Sequence, residues 1–134
     1  MIGIVIVAHG GLAKEYLAAL EHVVGKQVGI RAISIAPEHD RSLKQKEILE
    51  AANSVDTGDG VVVVTDMFGG SPSNLSLRAS SQANRKILYG ANLPMLIKLA
   101  KSRLMTVDAA AQTALVAGRK YINSFDGNSG TPGE

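Results

Sequence analysis

Runs of β-branched residues alternate along the chain with stretches whose apolar residues recur every three or four positions. The β-branched runs predict strands at 2–8, 28–36, 61–65 and 86–89, with a short final strand at 120–125. The helical spacing predicts five helices, at 12–24, from about 41 to 54, at 72–82, at 94–103 and at 109–118. The predicted N-caps are Asp40 or Ser42 for the second helix, Ser71 for the third and Asp108 for the fifth. Strands and helices therefore alternate four times.

The main strands are continuously apolar and do not alternate between polar and apolar residues, which indicates strands covered on both faces. This is typical of an α/β fold with a doubly wound, mainly parallel four-stranded sheet and helices on both faces. Because crossovers are right-handed, few topologies remain, and we expect the flavodoxin-like order 2-1-3-4. The length of 134 residues fits one domain, which we place at 1–125, followed by a polar, flexible tail at 126–134.

Composition narrows the functional classes. Aromatic residues make up 4% of the chain and the formal net charge is +2, which argues against a nucleic-acid partner. The chain has no cysteine, and its histidines lack the paired spacing of a zinc site, so we expect neither a metal nor another cofactor. No apolar run is long enough to span a bilayer, and the N-terminal run lacks the basic flank of a signal peptide. We therefore expect a cytoplasmic protein without membrane insertion.

Two strand ends carry the candidate chemistry. The first strand ends in "AHGG", which contains His9, and the third ends in "TDMFGGSPSN", which contains Asp66. In the expected order these ends lie side by side at the carboxyl edge, where open α/β sheets bind ligands. A carboxylate that accepts from one ring nitrogen of the histidine fixes its tautomer and leaves the other nitrogen facing outward. The histidine is then a candidate base, metal ligand or nucleophile.

The residues around this pair favour a negatively charged ligand. Gly69 and Gly70 allow the backbone to approach such a ligand closely. Ser71 and Pro72 begin a helix whose free N–H groups attract anions. Gly10 lies at the start of the first helix, which attracts anions in the same way. A nucleophilic histidine among such donors indicates transient phosphorylation of the imidazole, with the aspartate stabilising the cationic ring. Each feature alone also has a structural explanation, since strand-end histidines, capping aspartates and Gly-Gly-Ser-Pro turns are common.

The segments "IVIVAHG", "TDMFGGSPSN", "GANLPML" and "AGRKYI" together resemble the enzyme IIA component of the mannose class of the bacterial phosphoenolpyruvate-dependent sugar phosphotransferase system. The likeness covers roughly residues 1–125. Dihydroxyacetone-kinase relatives of the fold usually have His-Ser and Met-Gly-Ser at these places. The His-Gly and Gly-Gly-Ser-Pro of this chain fit the mannose class better.

This resemblance implies a phosphocarrier. His9 matches the histidine that takes a phosphoryl group from phospho-HPr and passes it to an enzyme IIB. Asp66 matches the acid that hydrogen-bonds that ring, and Ser71 matches the serine that donates to the phosphoryl oxygens. The family fold also implies a fifth, antiparallel strand at "KYINSF" that is exchanged between the subunits of a homodimer. The IIA-like segment is not followed by a IIB domain, so we expect any IIB partner to be a separate chain.

Two alternatives stay open. One is a regulatory phosphoprotein, in which phosphorylation of His9 sets the choice of partner and no sugar is transported. The other is a flavodoxin-like domain that binds a flavin or nucleotide without phosphoryl chemistry. Few aromatic residues argue against flavin stacking, since only Phe68 and Tyr89 are suitably placed.

Overall fold

One parallel sheet of four strands runs through the computed structural model of the chain, which describes residues 1–67, 69–82 and 84–128. The strands are β1 (Gly3–His9), β2 (Ile30–Ile35), β3 (Val61–Thr65) and β4 (Arg85–Leu88). The helices are α1 (Leu12–Val24), α2 (Arg41–Val55), α3 (Ser71–Ser76), α4 (Leu93–Ala100) and α5 (Val107–Lys120). The parallel pairing and the alternation of strands with helices confirm the predicted α/β fold.

The strands lie in the order β2-β1-β3-β4, which confirms the predicted 2-1-3-4. On one side of β1, His9 is opposite Ile35 of β2, and on the other side Val7 is opposite Thr65 of β3. The order reverses between β1 and β3. The carboxyl ends of these two strands therefore flank the switch point of the sheet.

Helices cover both faces of the sheet, as predicted. Ile4 and Ile6 of β1 belong to an apolar layer shared with α1, α4 and α5, whereas Val5 and Val7 belong to a layer shared with α2 and α3. Burying one such side chain stabilises the fold by roughly 1.5–3 kcal/mol. A slip of one residue would exchange the two layers, so the pattern fixes the register of β1 against its neighbours.

The structure shows which residues are the N-caps of α2 and α5. Asp40, and not Ser42, caps α2, because its side chain accepts from a backbone N–H three residues on. Thr106, and not Asp108, caps α5 in the same way. The side chain of Asp108 instead lies in the first turn, where it forms an ion pair with Lys86 at 2.9 Å.

The second strand and the third helix are shorter than predicted. β2 begins at Ile30 because Gly29 has a φ of +69°, outside the strand region, and Val28 is 69% exposed. α3 ends at Ser76 and does not continue to 82. Its sequence "SPSNLS" is rich in serine and asparagine, whose side chains bond to nearby backbone groups and disfavour long helices.

The predicted strand at 120–125 is not formed in the single chain. Lys120 is the last residue of α5, and residues 121–128 have neither helix nor strand. Tyr121, Ile122 and Phe125 are 66%, 73% and 49% exposed. A strand exchanged between subunits requires a second chain and stays a prediction. Residues 129–134, most of the predicted tail, lie outside the described residues, as does Phe68.

Candidate active site

His9 and Asp66 lie in contact at the carboxyl edge of the sheet. His9 is the last residue of β1 and Asp66 directly follows β3. Nδ1 of the His9 ring lies 2.8 Å from Oδ2 of Asp66, and the same oxygen accepts the backbone N–H of His9 at 3.1 Å. The side chain of His9 is 49% exposed and that of Asp66 is 12% exposed. The carboxylate therefore supports the ring from the protein side, and the ring is open to solvent.

Hydrogen bonds from His9 keep the Asp66 carboxyl ionised. Burial raises the pKa of Asp66, but the bonds from the ring and backbone of His9, together with the charge of the ring, outweigh it and hold the pKa below its usual range. Because an ionised carboxylate can only accept, we infer that Nδ1 carries the proton. In the neutral ring the lone pair is then on Nε2. The pair thus presents a basic or nucleophilic nitrogen on the side away from Asp66.

A glycine turn lies against the outer edge of the imidazole. Gly69 has a φ of +81°, a left-handed conformation that residues with a side chain rarely adopt. A methyl group added at Gly70 would lie 3.2 Å from Cε1 and 3.6 Å from Nε2 of His9. Glycine is therefore favoured at the second position by close approach and at the first by backbone conformation.

Ser71 is the first residue of α3 and not its predicted N-cap. Gly70 takes the N-cap position in an extended conformation, without a side-chain hydrogen bond, and Pro72 is in the first turn. Among the described residues, the Ser71 hydroxyl has no hydrogen-bond partner. As far as the described residues show, this hydroxyl is free to donate to a ligand at the start of α3.

Two of the predicted backbone donors are engaged within the chain. The N–H of Gly10 donates to the carbonyl of Ile35 at 2.8 Å, and the N–H of Gly69 donates to the hydroxyl of Ser73 at 3.1 Å. Gly10 also has a φ of +56°. These two glycines shape the turns around the site. Gly70 and Ser71 are the members of the predicted set that can still donate to an anion.

Sequence reasoning missed Ser73, which lies beneath the glycine turn. It is 3% exposed, and its hydroxyl both accepts from Gly69 and donates to the carbonyl of Gly70 at 2.9 Å. Its position, three residues after the N-cap, is the one from which capping-box side chains reach back over a helix start. With Ser71 as the predicted N-cap, this spacing was not visible in the sequence, and it emerged only when the structure placed the N-cap at Gly70.

Tyr16 of α1 was also missed. Its hydroxyl donates to the carbonyl of Ala91 at 2.9 Å, and the N–H of Ala91 donates to the carbonyl of Thr65 at 3.0 Å. Burial, and then the nearby charge of Asp66, raise the pKa of Tyr16. The available signal was a tyrosine on an apolar helix face, where a buried hydroxyl needs a partner. These bonds connect α1 to the end of β3, next to the acid of the site.

The remaining histidines lie apart from this pair. His22 is exposed on α1. His39 is half-buried, and its Nδ1 accepts from the backbone N–H of Ala36 at 3.0 Å. His39 therefore stabilises the loop after β2. In the described ranges, no group of three His, Asp or Glu side chains is placed to hold a metal ion.

The cavity beside the candidate site is small. It holds about 130 Å³ and is lined by Ile35, Ala36, Pro37, His39, Arg41, Lys44, Ser71 and Leu75. Larger cavities, of about 340 and 420 Å³, lie at the amino ends of the strands and between α4 and α5. Small-molecule sites usually begin at about 300 Å³. The cavity at Ser71 is therefore smaller than the usual site for a flavin or nucleotide.

The fold and the site together define a doubly wound α/β domain built around a histidine oriented by a carboxylate. Residues 3–116 match the family described as PTS system fructose IIA component. The chain belongs to this family, the mannose-class enzyme IIA components of the sugar phosphotransferase system. Within the described residues, none of the helices is both long and apolar enough to cross a membrane.

Curated relatives include two proteins of Escherichia coli K12. The chain is 30% identical over 128 residues to the PTS system mannose-specific EIIAB component, a match covering 92% of this chain and 39% of that protein. It is 28% identical over 127 residues to the putative phosphotransferase enzyme IIA component YadI, covering 93% of this chain and 87% of the relative. The chain thus spans about two fifths of the EIIAB relative and most of YadI.

Solved structures share the whole fold. Phosphotransferase system component EIIA from Streptococcus agalactiae has a TM-score of 0.83 at 28% identity, covering 92% of this chain and 97% of that one. The mannose/sorbose specific IIA subunit from Enterococcus faecalis has a TM-score of 0.83 at 25% identity, covering 93% and 95%. The likeness therefore extends over the sheet, its helices and the carboxyl edge.

Proposed function

We propose that the chain is a histidine phosphocarrier. Nε2 of His9 accepts a phosphoryl group from phospho-HPr and passes it to an enzyme IIB partner, in sugar uptake or in regulation by the phosphotransferase system. The observation that carries the proposal is the 2.8 Å hydrogen bond from Nδ1 to Asp66, made by a ring that is 49% exposed. It is the arrangement that a reusable nitrogen nucleophile needs.

The proposed transfer is a displacement at phosphorus. The lone pair on Nε2 forms a bond to phosphorus, the bond from phosphorus to the donor breaks, and the donor keeps that electron pair. The ring of His9 becomes cationic because Nδ1 retains its proton, and Asp66 balances the new charge through the existing hydrogen bond. Gly70 and Ser71 are the proposed donors to the phosphoryl oxygens. The second transfer, to IIB, reverses these bond changes.

The decisive experiment is incubation with phosphoenolpyruvate, enzyme I and HPr, followed by intact mass. We expect the mass of one added phosphoryl group, stable to base and labile to acid. His9→Ala should abolish it. His22→Ala is the matched control, since His22 is exposed on α1, and it should be labelled like the native chain. Labelling that persists in His9→Ala would overturn the assignment.

The acceptor step separates transport from regulation. If the chain supplies a IIB component, the label should leave the phosphorylated chain when purified IIB is added. A regulatory phosphoprotein would keep its label and change its affinity for a partner instead. The name EIIAB of the Escherichia coli relative includes both a IIA and a IIB component. Transfer to IIB is therefore the experiment to carry out first.

The setting of this reaction is part of the same proposal. HPr is the expected donor, and the chain would act in the cytoplasm as a homodimer without a cofactor. We propose 1–125 as the functional unit, of which 3–116 match the family, with 126–134 as a tail. The alternative, a domain that binds a flavin or nucleotide, is disfavoured by the cavity of about 130 Å³ beside Ser71.

A further inference from the structure

The Ser73 side chain bonds to both glycines of the turn beside His9. Ser73 is 3% exposed. Its hydroxyl oxygen accepts the N–H of Gly69 at 3.1 Å, and its hydroxyl hydrogen is donated to the carbonyl of Gly70 at 2.9 Å. One hydroxyl thus satisfies a donor and an acceptor on successive residues, from the third position of the helix that follows.

Gly69 and Gly70 have no side chains of their own through which packing could hold them. Glycine has no side chain and more backbone freedom than any other residue. At Gly69 a methyl group would meet no other atom within 4 Å, so that residue lies in open space. Met67, on the other side of the turn, is 54% exposed. The carbonyl of Gly70 also accepts the N–H of Asn74 at 3.1 Å, a bond of the helix backbone. Among the described side chains, that of Ser73 is the one that bonds to both glycines.

We propose that Ser73 is a positioning residue for phosphoryl transfer at His9, acting through the glycine turn. This inference rests on the proposed function and deepens it. The backbone of Gly70 lies against the outer edge of the ring, where a methyl group would be 3.6 Å from Nε2. Gly70 and Ser71 are the proposed donors to the phosphoryl oxygens. A displacement of such donors by about 1 Å is enough to slow a transfer strongly.

Two buried serines of α3 provide a matched pair of variants. Ser73→Ala removes the hydroxyl that restrains the turn. Ser76→Ala removes a hydroxyl that is also fully buried, at 0% exposure, but donates to the carbonyl of Pro72 within the helix at 2.6 Å. Both variants delete one buried hydroxyl from the same helix. Only the first releases the turn.

The kinetic test uses the full chain with phospho-HPr as phosphoryl donor. We expect Ser73→Ala to lower kcat of phosphorylation about tenfold with little change in KM, less than the ~10²-fold loss on deleting a direct donor. Ser76→Ala should stay within about twofold of the native chain, because its bond does not reach the turn. Thermal unfolding of both variants checks that folding is retained.

A second measurement follows the turn itself. In ¹⁵N-labelled protein, hydrogen exchange of the Gly69 amide should accelerate in Ser73→Ala and not in Ser76→Ala, because only the first loses the acceptor of that N–H. Equal losses of kcat in the two variants would overturn the proposal, as would native kcat in Ser73→Ala with accelerated Gly69 exchange. If the native chain is never labelled, the proposed function itself fails. In that case the exchange result still reports whether Ser73 restrains the turn.

Discussion

At the residue scale, a single oxygen of Asp66 accepts two hydrogen bonds from His9. Oδ2 accepts both the ring Nδ1–H and the backbone N–H of His9, so it fixes the orientation of the ring relative to its own strand. Oδ1 is buried and accepts no hydrogen bond from the described residues. Among the described side chains, that of His9 is the one that hydrogen-bonds this carboxylate, which couples the acid closely to the charge of the imidazole.

Asp66→Asn should slow phosphorylation of His9 by about 10²-fold or more while the fold is retained. The amide cannot balance a cationic ring, and its N–H₂ can impose the other tautomer on the histidine. The measurement is the single-turnover rate with phospho-HPr, with circular dichroism to check the fold. Unchanged transfer kinetics would remove Asp66 from the proposed mechanism.

The same variant tests the electrostatic role of the carboxyl through pH. Because folding lowers the pKa of Asp66, its ionised form contributes stability above its unfolded pKa of about 4, and this contribution is lost as the pH falls through the lower folded value. The stability difference between the native chain and Asp66→Asn should therefore be larger at about pH 7 than at about pH 3. Unfolding by urea at both pH values measures it.

At the scale of elements, α4 and α5 approach each other through a glycine. A methyl group at Gly118 would lie 3.0 Å from Cβ of Met95 and 3.4 Å from Oδ1 of Asn92. Asn92 caps α4 by accepting from the N–H of Met95, and its amide donates to the carbonyl of Gly118 at 3.0 Å. The glycine therefore permits both the close packing and the hydrogen bond between the helices.

Gly118→Ala should destabilise the fold by about 1 kcal/mol, the difference between an overpacking cost and a helix-propensity gain. Overpacking costs roughly 1–3 kcal/mol, which exceeds the 0.5–1 kcal/mol that alanine contributes in a helix interior. Gln112→Ala is the control, since Gln112 is exposed on the same helix and its replacement should change stability by less than about 0.5 kcal/mol. Chemical denaturation of both variants measures the difference. A Gly118→Ala variant as stable as the native chain would show that α4 and α5 can move apart without a loss of folding stability.

At the scale of the whole molecule, the segment after α5 leaves apolar side chains in solvent. Ile122 and Tyr121 are 73% and 66% exposed. Within the described part of the chain, β4 pairs with β3 along one edge and forms no ladder along the other. An open sheet edge and a segment with the exposed side chains of Tyr121 and Ile122 favour strand addition between two copies.

Ile122→Asp should shift the chain from dimer to monomer. A charge within an intersubunit strand would be buried without a partner on association. Light scattering coupled to gel filtration measures the mass of each form. Leu104→Asp is the control, because Leu104 is 92% exposed and lies outside this segment. The dimer proposal fails if the native chain is monomeric, or if both variants stay dimeric.

The sequence by itself determined the four parallel strands, the five helices between and after them, the sheet order and the pairing of His9 with Asp66, but not the ends of β2 and α3. Continuous apolar runs and glycine-ended strands are local patterns, and right-handed crossover rules then leave few ways to join them. Only the tertiary structure decided that the Ser73 hydroxyl bonds to the glycine turn and the Tyr16 hydroxyl to Ala91, that Gly70 and not Ser71 is the N-cap of α3, and that the N–H groups of Gly10 and Gly69 are already engaged. Such contacts depend on angles and distances between elements. A linear pattern records which residues can donate or accept, but the packing of helix, turn and strand decides which of them meet.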